Sequence, residues 1–325
     1  MWAIVAVAVA LVTSNGAPAR AASTPPPFAQ LRSELHRLVS SFPASSAVQI
    51  LDLSTNLSVG YNAGESMPAA STIKVPVMVE VFRQLEGGKF DLQRRVELLP
   101  RDKDYGSGDL CDEPAGSTYS VSELLSKMID ISDNTATNML IRLVGLHHIN
   151  RTMYQLGLER THLTQDVRTS NYAVRQDLRT SPADMVRLLS LMARRKLVDE
   201  WSSGQMISIL EDDQINTLLP EPLPDDVPIA HKTGSFFDTL NDVGIVYADE
   251  APYVIAVMTT HLPSLDIGRS FIRSLSKLTF AHEGQLAAWR NNAGLNTFAA
   301  TQTIVAPDVR YWQHSADDYT STGGR

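Results

Sequence analysis

Ser71-Thr72-Ile73-Lys74 is followed along the chain by Ser132-Asp133-Asn134 and then by Lys232-Thr233-Gly234. The first string alone proves little, because Ser274-Leu275-Ser276-Lys277 has the same S-x-x-K spacing. Average composition, however, would place both fixed tripeptides in this order in only about one in a thousand chains of this length. Together the strings supply a nucleophile, a proton carrier and a cationic edge for an anion, the parts that a serine acyl-transfer enzyme needs. We therefore treat them as one candidate site.

The first string provides a nucleophile and a base. Apolar residues at helical spacing follow Ser71 and predict an amphipathic helix that starts at this serine. The free N–H groups of a helix N-terminus favour negative charge on an attacking oxygen. Lys74 is three residues further on and therefore lies on the same face. A desolvated lysine can lose its proton near neutral pH and act as the base. For Ser71 taken alone, a helix cap is the alternative role.

The second string falls in a break between two helical runs. We expect Ser132 to relay a proton and Asn134 to bind a substrate amide, while Asp133 braces the turn. An ordinary turn or cap made of small polar residues is the alternative.

The third string lies in a strand-like stretch and offers an anion site. Lys232 and the hydroxyl of Thr233 can hold a substrate carboxylate, whereas a solvated strand lysine is the alternative. Gly234 weakens a strand but also marks the close approach of another backbone or of a ligand. The N–H of Ser235 can pair with the N–H of Ser71 as an oxyanion hole.

Strand-like runs lie at both ends of the body of the chain, and helical patterns lie between them. The strand pattern covers residues 47–53, 57–61, 229–237, 242–248 and 253–260. Helices are predicted over residues 28–39 and 267–289, and they dominate between 71 and 210. This order predicts an α/β fold of the α+β type, with one antiparallel sheet formed by both chain ends, flanking helices and an all-helical lobe.

The N-terminal segment has the pattern of an export signal. Residues 3–12 form an apolar run that is too short to span a bilayer, and Ala19-Arg20-Ala21 resembles an A-x-A cleavage site. A retained membrane anchor is the alternative. We therefore expect a signal peptide over 1–22, a linker over 23–27, a catalytic domain over 28–290 and a flexible C-terminal tail over 291–325. The expected product is secreted or periplasmic, without stable membrane insertion after cleavage.

Composition argues against several classes of function. The chain has 325 residues, 43% of them hydrophobic, and a formal net charge of −8, which does not provide the basic surface of a nucleic-acid-binding protein. The single cysteine, Cys111, excludes an internal disulfide. The adjacent pair His147-His148 fits neither H-x-H-x-D nor H-E-x-x-H, so we expect no metal and no cofactor.

With both tripeptides present, the chain resembles the class A β-lactamase-type serine hydrolases, whose superfamily includes the penicillin-binding proteins and whose motifs are S-x-x-K, S-D-N and K-T-G. The resemblance covers roughly residues 28–290 and implies an active site between an α/β sheet and a helical lobe. Ser71 then resembles the acylated nucleophile, Lys74 its base partner and Ser132 the relay to the leaving nitrogen. Asn134 resembles a substrate contact, and Lys232-Thr233 the carboxylate clamp.

Two features of the family pattern are missing. Class A enzymes carry a glutamate within E-x-x-L-N that activates the water releasing the acyl group, and this string does not occur in the sequence. Asp166 is the best-placed substitute and Glu159 the second, although an ion pair with Arg160 or Arg168 accounts for either acid equally well. The strand after the K-T-G string also lacks the arginine that holds the substrate carboxylate in many members, and Arg269 is the candidate replacement.

The leading hypothesis is a serine β-lactamase-like hydrolase that opens the β-lactam ring through an acyl-enzyme at Ser71, with slow deacylation. The alternatives are a penicillin-binding D,D-peptidase or transpeptidase acting on cell-wall peptides, and a penicillin-binding module without turnover. The expected ligand is a small β-lactam or a D-Ala-D-Ala-like peptide. Tyr105 resembles the aromatic wall at the entrance of such a site.

Overall fold

The computed structural model describes residues 24–169 and 174–293. The strands are β1 Ser45–Asp52, β2 Ser58–Tyr61, β3 Met67–Pro68, β4 Arg95–Glu97, β5 Thr118–Ser120, β6 His162–Leu163, β7 Leu178–Thr180, β8 Ile229–Phe236, β9 Thr239–Val246 and β10 Tyr253–Thr260. The helices are α1 Pro26–Ser40, α2 Lys74–Glu86, α3 Val121–Asp130, α4 Asn134–Val144, α5 Leu146–Gln155, α6 Val174–Asp177, α7 Pro182–Ala193, α8 Glu200–Glu211 and α9 Leu265–Asn292. Two 3₁₀ turns cover Ala70–Ile73 and Pro100–Asp102.

The main sheet has five antiparallel strands in the order β2-β1-β10-β9-β8. β1 pairs with β10 from Ser45↔Thr260 to Asp52↔Tyr253, so strands from opposite ends of the described chain lie side by side. β8 forms one edge of the sheet. The predicted antiparallel sheet, built from both chain ends with a helical lobe between them, is confirmed.

Both faces of the sheet are covered, because β9 and β10 are buried at every position. On β10, Val254 and Ala256 belong to the core shared with the helical lobe. Ile255 and Val257 belong to the core shared with α1 and α9. This alternation follows from the two-residue period of a strand. The edge strand β8 is also buried from Ala230 to Gly234, whereas Ser235 is exposed.

Recognisable capping residues bound three helices of the helical lobe. Ser120 and Glu123 form a capping box at the start of α3, each accepting a hydrogen bond from the other's backbone N–H. α4 ends before Gly145, whose φ of 86° lies in the region that favours glycine. Ser181 caps α7 by accepting from the N–H of Asp184.

Two boundaries differ from the prediction. α1 starts at Pro26, inside the predicted linker, because proline fits the first turn of a helix. Ser71 lies in the 3₁₀ turn Ala70–Ile73, immediately before α2, and not in the first turn of an α-helix.

The predicted signal peptide over 1–22 lies outside the described residues, as does the predicted tail from residue 294 onward. The first two residues of that tail, Asn291 and Asn292, still belong to α9. Within 24–169 and 174–293, no helix combines the length and the hydropathy needed to cross a membrane.

Candidate active site

Ser71 lies where the 3₁₀ turn passes close to the edge strand β8. A Cβ added to Gly234 would lie 3.1 Å from the backbone nitrogen of Ser71 and 3.0 Å from the carbonyl oxygen of Ala69. These distances are shorter than a comfortable contact, so the approach depends on glycine. The close approach predicted at Gly234 is confirmed, and it brings the third string against the nucleophile.

Lys74 connects the first two strings. Its Nζ lies 3.2 Å from Ser71 Oγ, 2.9 Å from Ser132 Oγ, 2.5 Å from the Ser132 carbonyl oxygen and 2.8 Å from Asn134 Oδ1. The side chain is fully buried. Burial, together with the charge of Lys232, lowers the pKa of Lys74 well below its usual range, although nearby carboxylates oppose this shift. Lys74 therefore loses its proton more readily than a solvated lysine, and the resulting neutral amine can act as a base in contact with two serine hydroxyls.

Ser132 has a φ of 57°, which is uncommon for a residue with a side chain. Asp133, which follows it, fixes the turn from a fully buried position. One of its carboxylate oxygens accepts from Ala136 N at 2.7 Å, and the other accepts from Asp109 N at 2.8 Å and Leu110 N at 2.9 Å. These contacts make Asp133 a bracing residue, as the sequence predicted, and leave the Ser132 hydroxyl facing Lys74.

Asp104 connects the second string to the loop between β6 and α6. Its Oδ1 accepts from Asn134 Nδ2 at 2.8 Å and from Thr169 Oγ1 at 2.6 Å, while its Oδ2 accepts from Thr169 N at 2.8 Å. Burial by itself raises the pKa of Asp104, but these hydrogen bonds outweigh burial and lower the pKa below its usual value. The ionised carboxylate orients the Asn134 amide, with its nitrogen toward Asp104 and its oxygen toward Lys74.

Lys232 is completely buried and paired with Asp213, which follows α8. Its Nζ lies 3.0 Å from Asp213 Oδ2, and Thr233 N donates to the same oxygen at 3.3 Å. Lys232 is not among the described residues that line the cavity, whereas Thr233 is. The structure thus places the cation of the third string behind the wall of the site, with a carboxylate already bound to it.

A cavity of about 470 Å³ joins the predicted residues. Those that line it are Ser71, Lys74, Ser132, Asn134, Thr233 and Ser235. Arg269 also lines it, and its guanidinium donates to Thr217 Oγ1 at 3.2 Å. Phe236 and Phe237 provide an aromatic wall. Tyr105 is 74% exposed and is not among the described lining residues, so the structure does not place it in the expected wall.

The loop between β6 and α6 presents Val167 to the cavity, and not Asp166. Asn138 holds the backbone of Val167 on both sides: its Oδ1 accepts from Val167 N at 2.8 Å, and its Nδ2 donates to Val167 O at 3.0 Å. The carboxylate of Asp166 forms an ion pair with Arg168. Neither Asp166 nor Glu159, which precedes β6, is among the described lining residues, and no carboxylate from the described part of this loop lines the cavity.

Three residues that shape the site were missed by the sequence analysis. Asn138 follows Asn134 by four positions on α4, and this helical spacing was an available signal. Asp104 and Asp213 lie in irregular segments remote from the motifs they serve, and no pattern links them to those motifs. Within the described ranges, no group of three or more His, Cys, Asp or Glu side chains is arranged to hold a metal ion.

Comparisons with known proteins agree with this geometry. A family model described as the β-lactamase enzyme family matches residues 30–282. The chain is 27% identical to β-lactamase CTX-M-97 of Escherichia coli over 236 residues, covering 71% of this chain and 81% of that protein. It is also 27% identical to β-lactamase ROB-1 of Haemophilus influenzae over 259 residues, covering 77% of this chain and 83% of that protein.

Solved structures with the same fold include PBP-A, at 29% identity and a TM-score of 0.74, covering 79% of this chain and 96% of that one. A β-lactamase from Sphaerobacter thermophilus aligns at 26% identity and a TM-score of 0.73, covering 79% of this chain and 98% of that one. A leucine-to-glutamate mutant of PBP-A, solved as an acyl-enzyme complex with penicillin G, aligns at 29% identity and a TM-score of 0.75, covering 81% of this chain and 100% of that one. All three sequence strings contribute residues to one cavity, and the family model spans most of the chain. The chain belongs to the β-lactamase enzyme family.

Proposed function

We propose that this chain is a serine hydrolase of the class A type, which opens β-lactam rings through an acyl-enzyme at Ser71 and releases the acyl group slowly. The observation that carries the proposal is the position of Lys74. Its fully buried amine contacts the hydroxyls of Ser71 and Ser132 at 3.2 Å and 2.9 Å. A base of lowered pKa between two hydroxyls is suited to collecting a proton from one and passing it to the other.

The proposed acylation uses the two hydroxyls, the Lys74 amine and two backbone N–H groups of the cavity. Ser71 Oγ attacks the lactam carbonyl carbon while Lys74 accepts the hydroxyl proton. The backbone N–H groups of Ser71 and Ser235, both at the cavity wall, stabilise the negative oxygen of the tetrahedral intermediate. As the ring C–N bond breaks, Ser132 gives its proton to the leaving nitrogen and recovers one from Lys74. The product is an ester on Ser71.

The substrate carboxylate would bind at the side of the cavity formed by Thr233 and Arg269. Arg269 is about one-third exposed and supplies a cation that lines the cavity directly. Lys232 contributes its charge from behind this wall, where the carboxylate of Asp213 balances it. We therefore assign direct contact with the substrate anion to Thr233 and Arg269, and a longer-range role to Lys232.

Slow release follows from Val167. An apolar side chain cannot activate the water that must attack the ester, and Asp166 is engaged with Arg168. The same observation favours a second candidate function, a penicillin-binding D,D-peptidase-like protein acting on peptides that end in D-Ala-D-Ala. The similarity to PBP-A fits this candidate as well. The apolar segment at residues 3–12 further suggests that the chain acts after export.

The test uses benzylpenicillin and a chromogenic cephalosporin, with turnover followed by absorbance and acylation by intact mass. We expect a stable mass increase on the wild-type chain, little turnover, and neither signal in Ser71→Ala. Ser274→Ala, in the second S-x-x-K string, is the matched control and should behave as the wild type. Absence of a mass increase in the wild type, or its persistence in Ser71→Ala, would contradict the proposal.

A further inference from the structure

His231, directly before the lysine of the third string, lies in a buried polar cluster that the proposed reaction does not use. The residue is 1% exposed on β8. Its Nδ1 lies 3.0 Å from Asp242 Oδ1, and its Nε2 lies 3.1 Å from Asn216 Oδ1. Gly244, its partner on β9, leaves room for the ring, since a Cβ there would lie 2.7 Å from the Cβ of His231.

The orientation of the Asn216 amide decides which atoms must carry protons. Asn216 Nδ2 donates to the carbonyl oxygen of Asp213 at 3.1 Å. Turning the amide over would place two oxygens against each other, so Oδ1 must face the imidazole. Both ring nitrogens therefore face hydrogen-bond acceptors, a carboxylate on one side and an amide oxygen on the other. Only the doubly protonated ring donates to both.

We propose that His231 is a buried imidazolium at neutral pH and that it positions the segment 213–219 against the sheet, and with it the carboxylate that pairs with Lys232. Two hydrogen bonds to the cluster hold the segment in place. Asn216 is bound by His231, and Leu219 N donates at 2.9 Å to the second oxygen of Asp242. Between these points the segment supplies Ile215, Thr217 and Leu218 to the wall of the cavity.

The charges of the cluster support this assignment. With His231 protonated, the two cations His231 and Lys232 balance the two carboxylates of Asp213 and Asp242, whereas a neutral His231 would leave this buried group with one uncompensated negative charge. Burial by itself lowers the pKa of His231, as does the charge of Lys232, but the two carboxylates outweigh both and raise the pKa above its usual value. An imidazolium is thus the form that the surroundings favour.

Two further carboxyl groups, those of Asp130 and Asp212, affect how the charge of this cluster changes with pH. Burial and the neighbouring charges of Asp212 and Asp213 raise the pKa of Asp130 to about 7, while Lys232 opposes the shift. The pKa of Asp212 is raised by burial as well. Because Asp130 titrates in the range that matters for His231, an Asp130→Asn background separates the two.

The functional consequence rests on the proposed acylation of Ser71. Loss of the Nε2 proton sets a lone pair against Asn216 Oδ1, which releases the segment and the carboxylate of Asp213. Deprotonation of Lys74 raises the rate of acylation with pH. Superimposed on that rise, we expect acylation by benzylpenicillin to slow about tenfold as the pH passes through the pKa of His231, the effect of one lost buried hydrogen bond. His231→Gln, which cannot carry the charge, should react more slowly at low pH and lack this decline. His148→Gln, at an exposed histidine, is the matched control.

The protonation state is measured separately by NMR of wild-type protein labelled with ¹³C and ¹⁵N, in which through-bond correlations from the assigned backbone identify the ring signals of His231. Two protonated ring nitrogens at about pH 7 are expected. A neutral ring at that pH overturns the proposal, even if the variant does not fold. An alkaline decline that persists unchanged in His231→Gln overturns the positioning role. If the wild type is not acylated at any pH, the proposed function fails, while the NMR result still decides the imidazolium.

Discussion

Replacing Val167 by glutamate should shorten the lifetime of the acyl-enzyme. Val167 is 5% exposed and lines the cavity with Ser71, and Asn138 holds its N–H and its carbonyl. With the backbone fixed, a longer acidic side chain must extend into the cavity. The cavity has a volume of about 470 Å³, which leaves room for a carboxylate and a water molecule, since a water occupies about 30 Å³ in the liquid.

The expected gain follows from general-base catalysis, which contributes about 10² to 10⁴ in rate. This corresponds to about 3–5 kcal/mol off the barrier to deacylation. Burying a carboxylate at this position should lower the free energy of unfolding by about 1–3 kcal/mol. Acylation, which uses Lys74 as the base, should change far less than release.

The assay traps the benzylpenicillin adduct, removes free drug and follows the loss of the added mass with time. Val167→Gln is the matched control, since glutamine has the shape of glutamate without the base. Equal deacylation rates in the two variants would refute the reasoning. So would a wild-type chain that releases the acyl group as fast as Val167→Glu does.

Three further outcomes are expected. Lys74→Met should slow acylation by about 10² to 10⁴ in the intact-mass assay, and wild-type acylation should rise with pH through the lowered pKa of Lys74. Gly234→Ala, whose new Cβ would press on the Ser71 backbone nitrogen at 3.1 Å, should slow acylation at least tenfold while far-UV circular dichroism is retained. Burial, then Asp52, raises the pKa of Glu283 from 4.5 to about 9, so the unfolded state releases this proton first and the Tm should fall as pH rises between those values. In Glu283→Gln this part of the Tm dependence on pH should be absent.

The sheet, the helical lobe and the three motifs could be predicted because each has a local signal. A run of apolar and β-branched residues predicted the strand β10, and fixed spacings marked Ser71 and Lys74. The φ of Ser132 could not be predicted, because it depends on the hydrogen bonds that Asp133 accepts from a distant loop.

The buried pairing of Lys232 was missed for a related reason. Asp213 lies in an irregular segment after α8, and only the folded chain brings the two charges to 3.0 Å. The sequence therefore predicted a lysine open to the substrate. In the loop between β6 and α6, the sequence predicted that Asp166 would serve the site. The folded loop instead directs the side chain of Val167, and not that of Asp166, toward the cavity.

The pairing of β1 with β10 also bears on when the molecule can complete its fold. The pairing of β1 with β10 joins Ser45 to Thr260, so this part of the sheet cannot form until both segments of the chain are present. Contacts this distant in sequence make folding slow, since much of the chain must be ordered before they form. The strand that supplies the K-T-G string is joined to the sheet through β9 and β10. A nascent chain that already carries Ser71 and Lys74 therefore still lacks the surface against which the serine reacts until residues 229–260 have been synthesised.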